Sequence, residues 1–312
     1  MSARRAMHVL VTGGAGFIGA HSARALLDRG HRVTVVDDLS RGRREAVPQG
    51  ADLVVLDIRA PEIPRLFESS GFDAVLHLAA QMDVRKSVAD PLFDASVNVL
   101  GTLNLLEAGR RAGVKRFVFA SSGGAVYGEQ DVFPAPEGHP RRPASPYGVS
   151  KLCGEEYLAH YALLHGMSTL ALRYANVYGP GQDPHGEAGV VAIFLDKLLA
   201  GQTATINGDG LQTRDYVYVG DVAQANLLAI ESSARGALNI GTGIETNVVD
   251  LAQRLARHAG VPPGFANGPA KAGEQRRSSV DPAAALAALT WKPRTALDAG
   301  LAETAAFFKS PR

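Results

Sequence analysis

The sequence predicts an α/β fold, in which a doubly wound parallel sheet carries a smaller, mixed C-terminal lobe. Two observations lead there. Through the first half of the chain, short apolar runs alternate with longer helical stretches, and repeated βα units imply a parallel sheet with right-handed crossovers. The apolar runs are also near-continuous rather than alternating, the pattern of strands covered on both faces.

The expected strands are 8–12, 32–37, 53–56, 74–78 and 116–120, each rich in β-branched or large apolar residues, with a sixth across 169–174. Helices are expected over 17–29, 91–112 and 146–164. Beyond a Gly/Pro-rich loop at 179–189 the chain is less regular. A helix is expected at 190–199, then a hairpin-like stretch at 205–210, then an alternating run at 216–219 suited to a strand that returns to the main sheet. Residues 261–273 read as loop, and helices are suggested at 282–289 and 299–308. The expected division is a large lobe of residues 1–175 with return segments near 213–243, and a smaller lobe of 176–212 and 244–312.

The 312 residues are 46% hydrophobic and 20% charged, the composition of a soluble globular enzyme. Net charge is +1 with no run of one sign, which gives no footing to nucleic acid or a membrane surface as a partner. Pairs such as Arg43-Arg44, Arg141-Arg142 and Arg276-Arg277 suffice for small anions. The single cysteine, Cys153, excludes an intrachain disulfide and a thiolate cluster, and two residues beyond Lys151 it reads as a packed core thiol. The nine histidines show no ligand spacing, so no metal is expected. The apolar stretch at 7–11 is too short for a signal-peptide core and no window approaches a membrane span, so a cytoplasmic location is expected.

Thr12-Gly-Gly-Ala-Gly-Phe-Ile-Gly19 sets Gly13, Gly16 and Gly19 three apart between the first strand and the first helix. Glycine there permits a tight turn, lets backbone N–H groups approach a pyrophosphate, and lets helix pack on strand. The helix start, with Phe17 and Ile18, adds positive potential. The second strand ends at Asp37, whose carboxylate suits an adenosine ribose diol and repels a 2′-phosphate. Strand, turn, helix and acidic strand end in that order make a Rossmann-like dinucleotide site and favour NAD; Arg41 nearby keeps NADP as the minority alternative. Asp57, followed by Ile58, either accepts from the adenine amino group or caps the third strand. Leu78, Ala79 and Ala80 follow His77 with mostly small side chains, which permits close approach of a dinucleotide. Asn98, in a long helix, either ties neighbouring strands together or lies on a solvated face.

Tyr147-Gly-Val-Ser-Lys151 puts a phenol and an ammonium four residues apart, on one face of a helix that starts at Pro146. A free tyrosine, with a pKa of about 10, is a poor base at neutral pH. A neighbouring ammonium and a positive nicotinamide ring stabilise the phenolate. The pair therefore suits proton removal from a sugar or alcohol hydroxyl during hydride transfer.

Taken together, Gly13/Gly16/Gly19, Asp37, His77-Leu-Ala-Ala, Ser121-Ser122 before Val126-Tyr127-Gly128, Tyr147/Lys151 and Arg173-Tyr-Ala-Asn-Val-Tyr-Gly179 resemble the extended short-chain dehydrogenase/reductase family. Within it the chain is similar to nucleotide-sugar 4-epimerases of the UDP-glucose/UDP-galactose type, from the first strand to about Pro293. The resemblance implies a third catalytic residue, a Ser or Thr at the end of the fifth strand. That position is Gly123 here; Ser122 is the nearest hydroxyl and takes the role, with Ser121 as the fallback. Sugar 4,6-dehydratases of this family carry an Asp-Glu pair after the hydroxyl, and glucuronate decarboxylases a Glu. Gly123-Gly124-Ala125 has neither, leaving hydride and proton transfer at one carbon.

The resemblance further implies a nucleotide-sugar pocket in the C-terminal substrate-binding lobe. Asn176 and Arg214 match diphosphate contacts, the alternative for Arg214 being a salt bridge with Asp215 or Asp209. Lys271 stands where relatives usually have Arg, with Arg276 to compensate. Ser278 falls near the sugar C2, where a small side chain leaves space for an N-acetyl group. Ser87 contacts the sugar or caps a helix, two readings of equal standing. A UDP-sugar substrate and a homodimer through helices 91–112 and 146–164 are implied. The rivals are UDP-glucuronate 4-epimerisation, net oxidation or reduction of a nucleotide sugar, and a non-catalytic NAD-binding protein.

Overall fold

The structure, a computed structural model, describes residues 6–185, 189–270 and 275–310. The first half runs β1 (His8–Thr12), α1 (Phe17–Asp28), β2 (Arg32–Asp37), β3 (Asp52–Val55), α2 (Ile63–Ser70), β4 (Ala74–His77), α3 (Val84–Ala89), α4 (Pro91–Ala95) and α5 (Gly101–Arg111). It continues through β5 (Arg116–Ser122), α6 (Gly123–Tyr127), α7 (Pro146–His165) and β6 (Ser168–Tyr174). The second half adds β7 (Asn176–Tyr178), α8 (Val190–Leu199), β8 (Ala204–Asn207), β9 (Thr213–Tyr218), α9 (Val219–Glu231) and β10 (Gly236–Ile240). Last come β11 (Glu245–Asn247), α10 (Val248–Ala259), β12 (Phe265–Gly268), α11 (Ala283–Leu289) and α12 (Leu297–Lys309).

Seven strands form one parallel sheet in the order β10-β6-β5-β4-β1-β2-β3. Side chains alternate across it. Val9 and Val11 join a core with Ala23 and Leu26 of α1 and Val222 and Ala225 of α9, whereas Leu10 joins Phe67 of α2, Leu105 of α5 and Leu158 of α7 on the other face. Both faces are thus buried, which is why the strands read as apolar throughout. A separate core gathers Phe194 and Leu195 of α8, Leu251 and Leu255 of α10, and Leu301 of α12 in the smaller lobe.

The second half departs from the sequence expectation in its strand pairing, and it adds two helices, α9 and α10, that were not expected. Residues 204–207 are not the first arm of a hairpin; β8 pairs in parallel with β12, which lies inside the stretch expected to be loop. Strand β9 does not return to the main sheet but sits between β7 and β11, and the strand that does return is β10, beside β6. Partner choice depends on neighbours distant in the chain, which a local alternation pattern does not contain. The helix expected over 91–112 is also divided. Asp90 caps α4 by accepting from Phe93 N–H, and Ser96–Leu100 is wound as a π turn before α5. Such a turn rotates the side chains that follow, and here it carries Asn98 inward.

Strand β1 has β2 on one side and β4 on the other, with Thr12 level with both Val36 and His77. The chain reverses its direction of sheet growth between these neighbours, so the crevice opens at the carboxyl ends of β1 and β4.

Candidate active site

The glycine turn forms one wall of that crevice. Gly13 adopts φ +69, and a Cβ there would lie 2.7 Å from Ala79 N. Only glycine lets the turn after β1 sit against the chain leaving β4, at Leu78 and Ala79. Gly16 begins α1 with no side-chain cap and no acidic residue in the first turn, and Gly19 packs inside that turn against Gly13. The N–H groups of the helix start, at Phe17 and Ile18, are therefore left for an anion. Buried Asp37 accepts from Ala15 N–H (3.0 Å) and Leu39 N–H (2.9 Å). Burial raises its pKa, and those two bonds oppose the rise. A cradle with no room for side chains, an open helix start and an acidic strand end fit a dinucleotide without a 2′-phosphate.

The floor is a hydrogen-bonded chain. Thr102 gives its only hydroxyl hydrogen to Asn98 O (2.7 Å), so its oxygen accepts from His77 Nε2–H (2.9 Å). His77 Nδ1 then accepts from the Thr12 hydroxyl (2.7 Å), whose oxygen takes the N–H groups of Leu78 (3.2 Å) and Ala79 (3.3 Å). Burial first, and the Lys151 charge second, push the His77 pKa down to about 3, so the ring is neutral in this single tautomer. Asn98 is buried rather than solvated. Its oxygen accepts from Gln81 N–H, and its amide donates to Gln81 O and Asp94 Oδ1. It thereby anchors the loop after β4, which runs through Ala80. Asp57 is held by a two-pronged bond from Arg59, which in turn donates to Ser96 Oγ (2.8 Å). Asp57 also accepts from Arg59 N–H, so the capping role is filled beside Ile58.

Ser145 caps α7 by accepting from Gly148 N–H, and Pro146 begins the helix. Tyr147 and Lys151 lie one turn apart, with Lys151 Nζ 5.7 Å from the tyrosine ring centre and donating to Ala120 O (2.9 Å). Burial brings the Lys151 pKa down to about 8, against the opposing pull of Asp94 and Glu155. Burial, then the Asp94 charge, pushes the Tyr147 phenol well above its ordinary value. The phenol is thus protonated at neutral pH in the protein alone, and becomes a base only when further positive charge arrives beside it.

Ser122 caps α6, its hydroxyl accepting from Ala125 N–H at 3.4 Å, and is half-buried. Ser121 faces the opposite way and donates to Glu155 (2.5 Å), itself paired with Arg173. The fallback hydroxyl is committed to this buried ion pair, leaving Ser122 beside the crevice. A Cβ on Gly123 would stand 2.7 Å from Val280 Cγ1. The missing hydroxyl thus has a steric reason, invisible in the sequence because Val280 arrives from the far end of the chain.

The sugar-side residues are less uniformly gathered. Ser87 is fully buried; it accepts from Tyr147 N–H (3.1 Å) and donates to Val84 O (2.7 Å). It supports the start of α7, which fits the capping one of its two readings. Asn176 is half-buried at the head of β7. Arg214 donates to Thr213 O (2.7 Å) and Gln275 O (2.9 Å), while Asp209 is gripped by both prongs of Arg276 (2.8 and 2.9 Å). Arg276 lines a cavity of about 240 Å³ with Asn207, Asp209, Gln212 and Gln275. Ser278 is buried, its hydroxyl 3.4 Å from where a Gly124 Cβ would lie. Gln275 bonds to Gly128 O. The strand of chain from Gln275 to Ser278 so connects the cavity to the start of α6. Lys271 lies outside the described residues. Cys153 is half-buried rather than a core thiol. Among the described residues no His/Cys/Asp/Glu cluster could hold a metal, and no helix is long and apolar enough to cross a membrane.

Asp94, Gln81, Ser150 and Val280 escape a sequence reading. Of these only Ser150 lies within a motif, as a spacer between Tyr147 and Lys151, and the folded chain places all four against the motif residues.

The comparisons with known proteins agree with this geometry. The UDP-glucose 4-epimerase of Mycolicibacterium smegmatis is 45% identical over 310 residues, covering 97% of this chain and 99% of that protein. The solved UDP-glucose 4-epimerase of Thermotoga maritima with UDP-glucose superposes with a TM-score of 0.95 at 45% identity, covering 97% of this chain and 99% of that one. The Thermus thermophilus UDP-glucose 4-epimerase in complex with NAD gives 0.93 at 46% identity, with the same coverage. Residues 9–241 match the NAD dependent epimerase/dehydratase family, and the chain belongs to it.

Proposed function

We propose that this chain is an isomerase that inverts C4 of a UDP-hexose, interconverting UDP-glucose and UDP-galactose with NAD. One observation carries the reading: Tyr147 and Lys151 stand by the crevice while Gly123-Gly124-Ala125 offers no acid or base for elimination. Gly13, Gly16, Phe17, Ile18, Gly19, Asp37, the Asp57–Ile58 corner and the Leu78–Ala80 loop would hold NAD, which would supply a reversible hydride acceptor for C4. Tyr147 takes the C4 hydroxyl proton and returns it to that same oxygen after the sugar has turned its other face to the nicotinamide side. Lys151 lowers the cost of the phenolate, and Ser122 donates to the reacting oxygen. Asn176, Arg214 and Lys271 hold the diphosphate while the hexose turns over. Arg276 joins them by exchanging Asp209 for phosphate, a trade of one bidentate anion for another. The net redox change is zero.

The same reading divides the chain into a cofactor lobe of 1–175 with segments near 213–243, and a sugar lobe from the rest. It places the protein in the cytoplasm as a homodimer. Exposed apolar side chains support the dimer: Leu92, Leu100, Val149, Tyr157 and Leu164 emerge from α4, the π turn and α7, elements that pack against one another. Single exposed apolar residues are ordinary, but a cluster on adjoining helices marks an interface.

A second substrate has its own support. Ser278 and Gly124 are both small and adjoin, which leaves room for UDP-N-acetylhexosamines.

Product identification by NMR across UDP-galactose, UDP-N-acetylgalactosamine, UDP-glucuronate and dTDP- and GDP-sugars tests the assignment. We expect UDP-galactose to yield UDP-glucose with no stoichiometric build-up of reduced cofactor. Tyr147→Phe should lose nearly all turnover; a variant close to native rate would sink the proposed role.

A further inference from the structure

We infer that Asp94 is a positioning residue for this reaction, tying the loop after β4 to the helix that bears Tyr147 and Lys151 and supplying the counter-charge of the Lys151 ammonium. The inference rests on the acid/base reading of Tyr147 and Lys151 given above. Asp94 is 0% exposed. Oδ1 accepts from Gln81 Nε2 (2.9 Å) and Asn98 Nδ2 (3.0 Å), and Oδ2 from Ser150 Oγ (2.6 Å). All three partners are neutral. A buried carboxylate with only neutral donors costs several kcal/mol unless a cation nearby shares the low-dielectric space. Ser150 directly precedes Lys151 on α7, so the same hydrogen bond that seats the carboxylate also fixes the turn carrying the ammonium. On the other side, Gln81 and Asn98 clamp the loop that packs on the glycine turn. Asp94 is therefore a charged group bonded both to the loop that lines the cofactor wall and to the helix that bears Tyr147 and Lys151.

The charge environment of Lys151 leaves Asp94 a distinct part. On α7 itself Glu155 is neutralised by Arg173 of β6, and Tyr147 is protonated. From β4, His77 is neutral. From α3, Arg85 and Lys86 are exposed. Tyr127 of α6 bonds to Asn239 and Arg173, Glu107 of α5 bonds to Tyr161 near the far end of α7, and Arg116 of β5 lies at the opposite end of its strand, bonded to Ala229 O. The π turn has no titratable side chain. Both Asp94 and Glu155 favour the charged form of Lys151, with Asp94 the larger.

The test is an NMR titration of the ligand-free protein labelled at lysine, with the Lys151 signal identified by its loss in Lys151→Met. In Asp94→Asn the Lys151 midpoint should fall by about one pH unit, the scale on which a nearby opposite charge acts. Above the new midpoint kcat should be lower, by less than the roughly tenfold that the Lys151 shift alone would give because loss of the Asp94 charge also eases ionisation of Tyr147, with KM for UDP-galactose near native. Ser150→Ala removes a donor but no charge, and should leave the midpoint in place. An unmoved midpoint in Asp94→Asn with native kcat refutes the inference alone, provided Tyr147→Phe is inactive. An active Tyr147→Phe refutes the acid/base reading instead.

Discussion

Lys151 should weaken the fold that it equips. Its pKa falls from 10.5 to about 8, chiefly through burial. Each unit is worth about 1.4 kcal/mol, so the charged side chain costs the folded state about 3 kcal/mol, with the favourable pull of Asp94 and Glu155 already counted in that net shift. Replacement by Met keeps the length and removes the charge, but also removes the bond to Ala120 O, worth about 1 kcal/mol. Lys151→Met should therefore be inactive yet more stable than the native chain by about 2 kcal/mol at pH near 7. The sign follows from proton counts. Below the folded midpoint both states are charged and the whole penalty stands; between about 8 and 10.5 the folded state sheds its proton first, and the unfolded state binds more. Native stability then rises with pH across that window relative to the variant, whose advantage disappears above it. Denaturant unfolding of both proteins from neutral to alkaline pH is the assay. A destabilised Lys151→Met at neutral pH, or an offset that ignores pH, would refute the reasoning.

Two further outcomes follow from packing. Gly123→Ser places a hydroxyl at the end of β5, but drives a Cβ to 2.7 Å from Val280 Cγ1; overpacking should cost about 1–3 kcal/mol. The same change in a Val280→Ala background should cost less, a coupling of at least about 0.5 kcal/mol read from a double-mutant unfolding cycle; additive losses would show that Val280 is not the obstacle. Leu164→Glu, at a site 59% exposed on α7, should barely change the stability of an isolated chain yet drive a dimer to monomer in sedimentation; an unchanged mass would move the interface elsewhere.

Much of the cofactor wall was legible from residue order. β1, the glycine turn, α1 and Asp37 are consecutive, and each depends on local sterics: the freedom of Gly13 at φ +69, an uncapped helix start, a buried strand. The Tyr147/Lys151 pair was legible for the same reason, since four residues on a helix place two side chains on one face whatever surrounds them. α10 also carries a local signal, with Leu251, Leu255 and Ala259 buried on one face, Asn247 at its start and Gly260 at its end. Strand partnership in the smaller lobe was not legible, because β8 and β12 meet across 57 intervening residues, and the hydrogen-bonding edge of a strand carries no label in its own side chains.

The sequence by itself determined the class of fold, the glycine turn after β1 and the placing of Tyr147 and Lys151 on one helix face, all properties of short contiguous segments. Only the tertiary structure decided which serine remains available, why Gly123 has no side chain, that Ser87 supports a helix, and that Asp94 lies between cofactor loop and catalytic helix. Those outcomes turn on contacts between residues as far as 157 positions apart, such as Ser121 with Glu155 and Gly123 with Val280. The energies of burial and exclusion that select among them exist only once the distant partners have met.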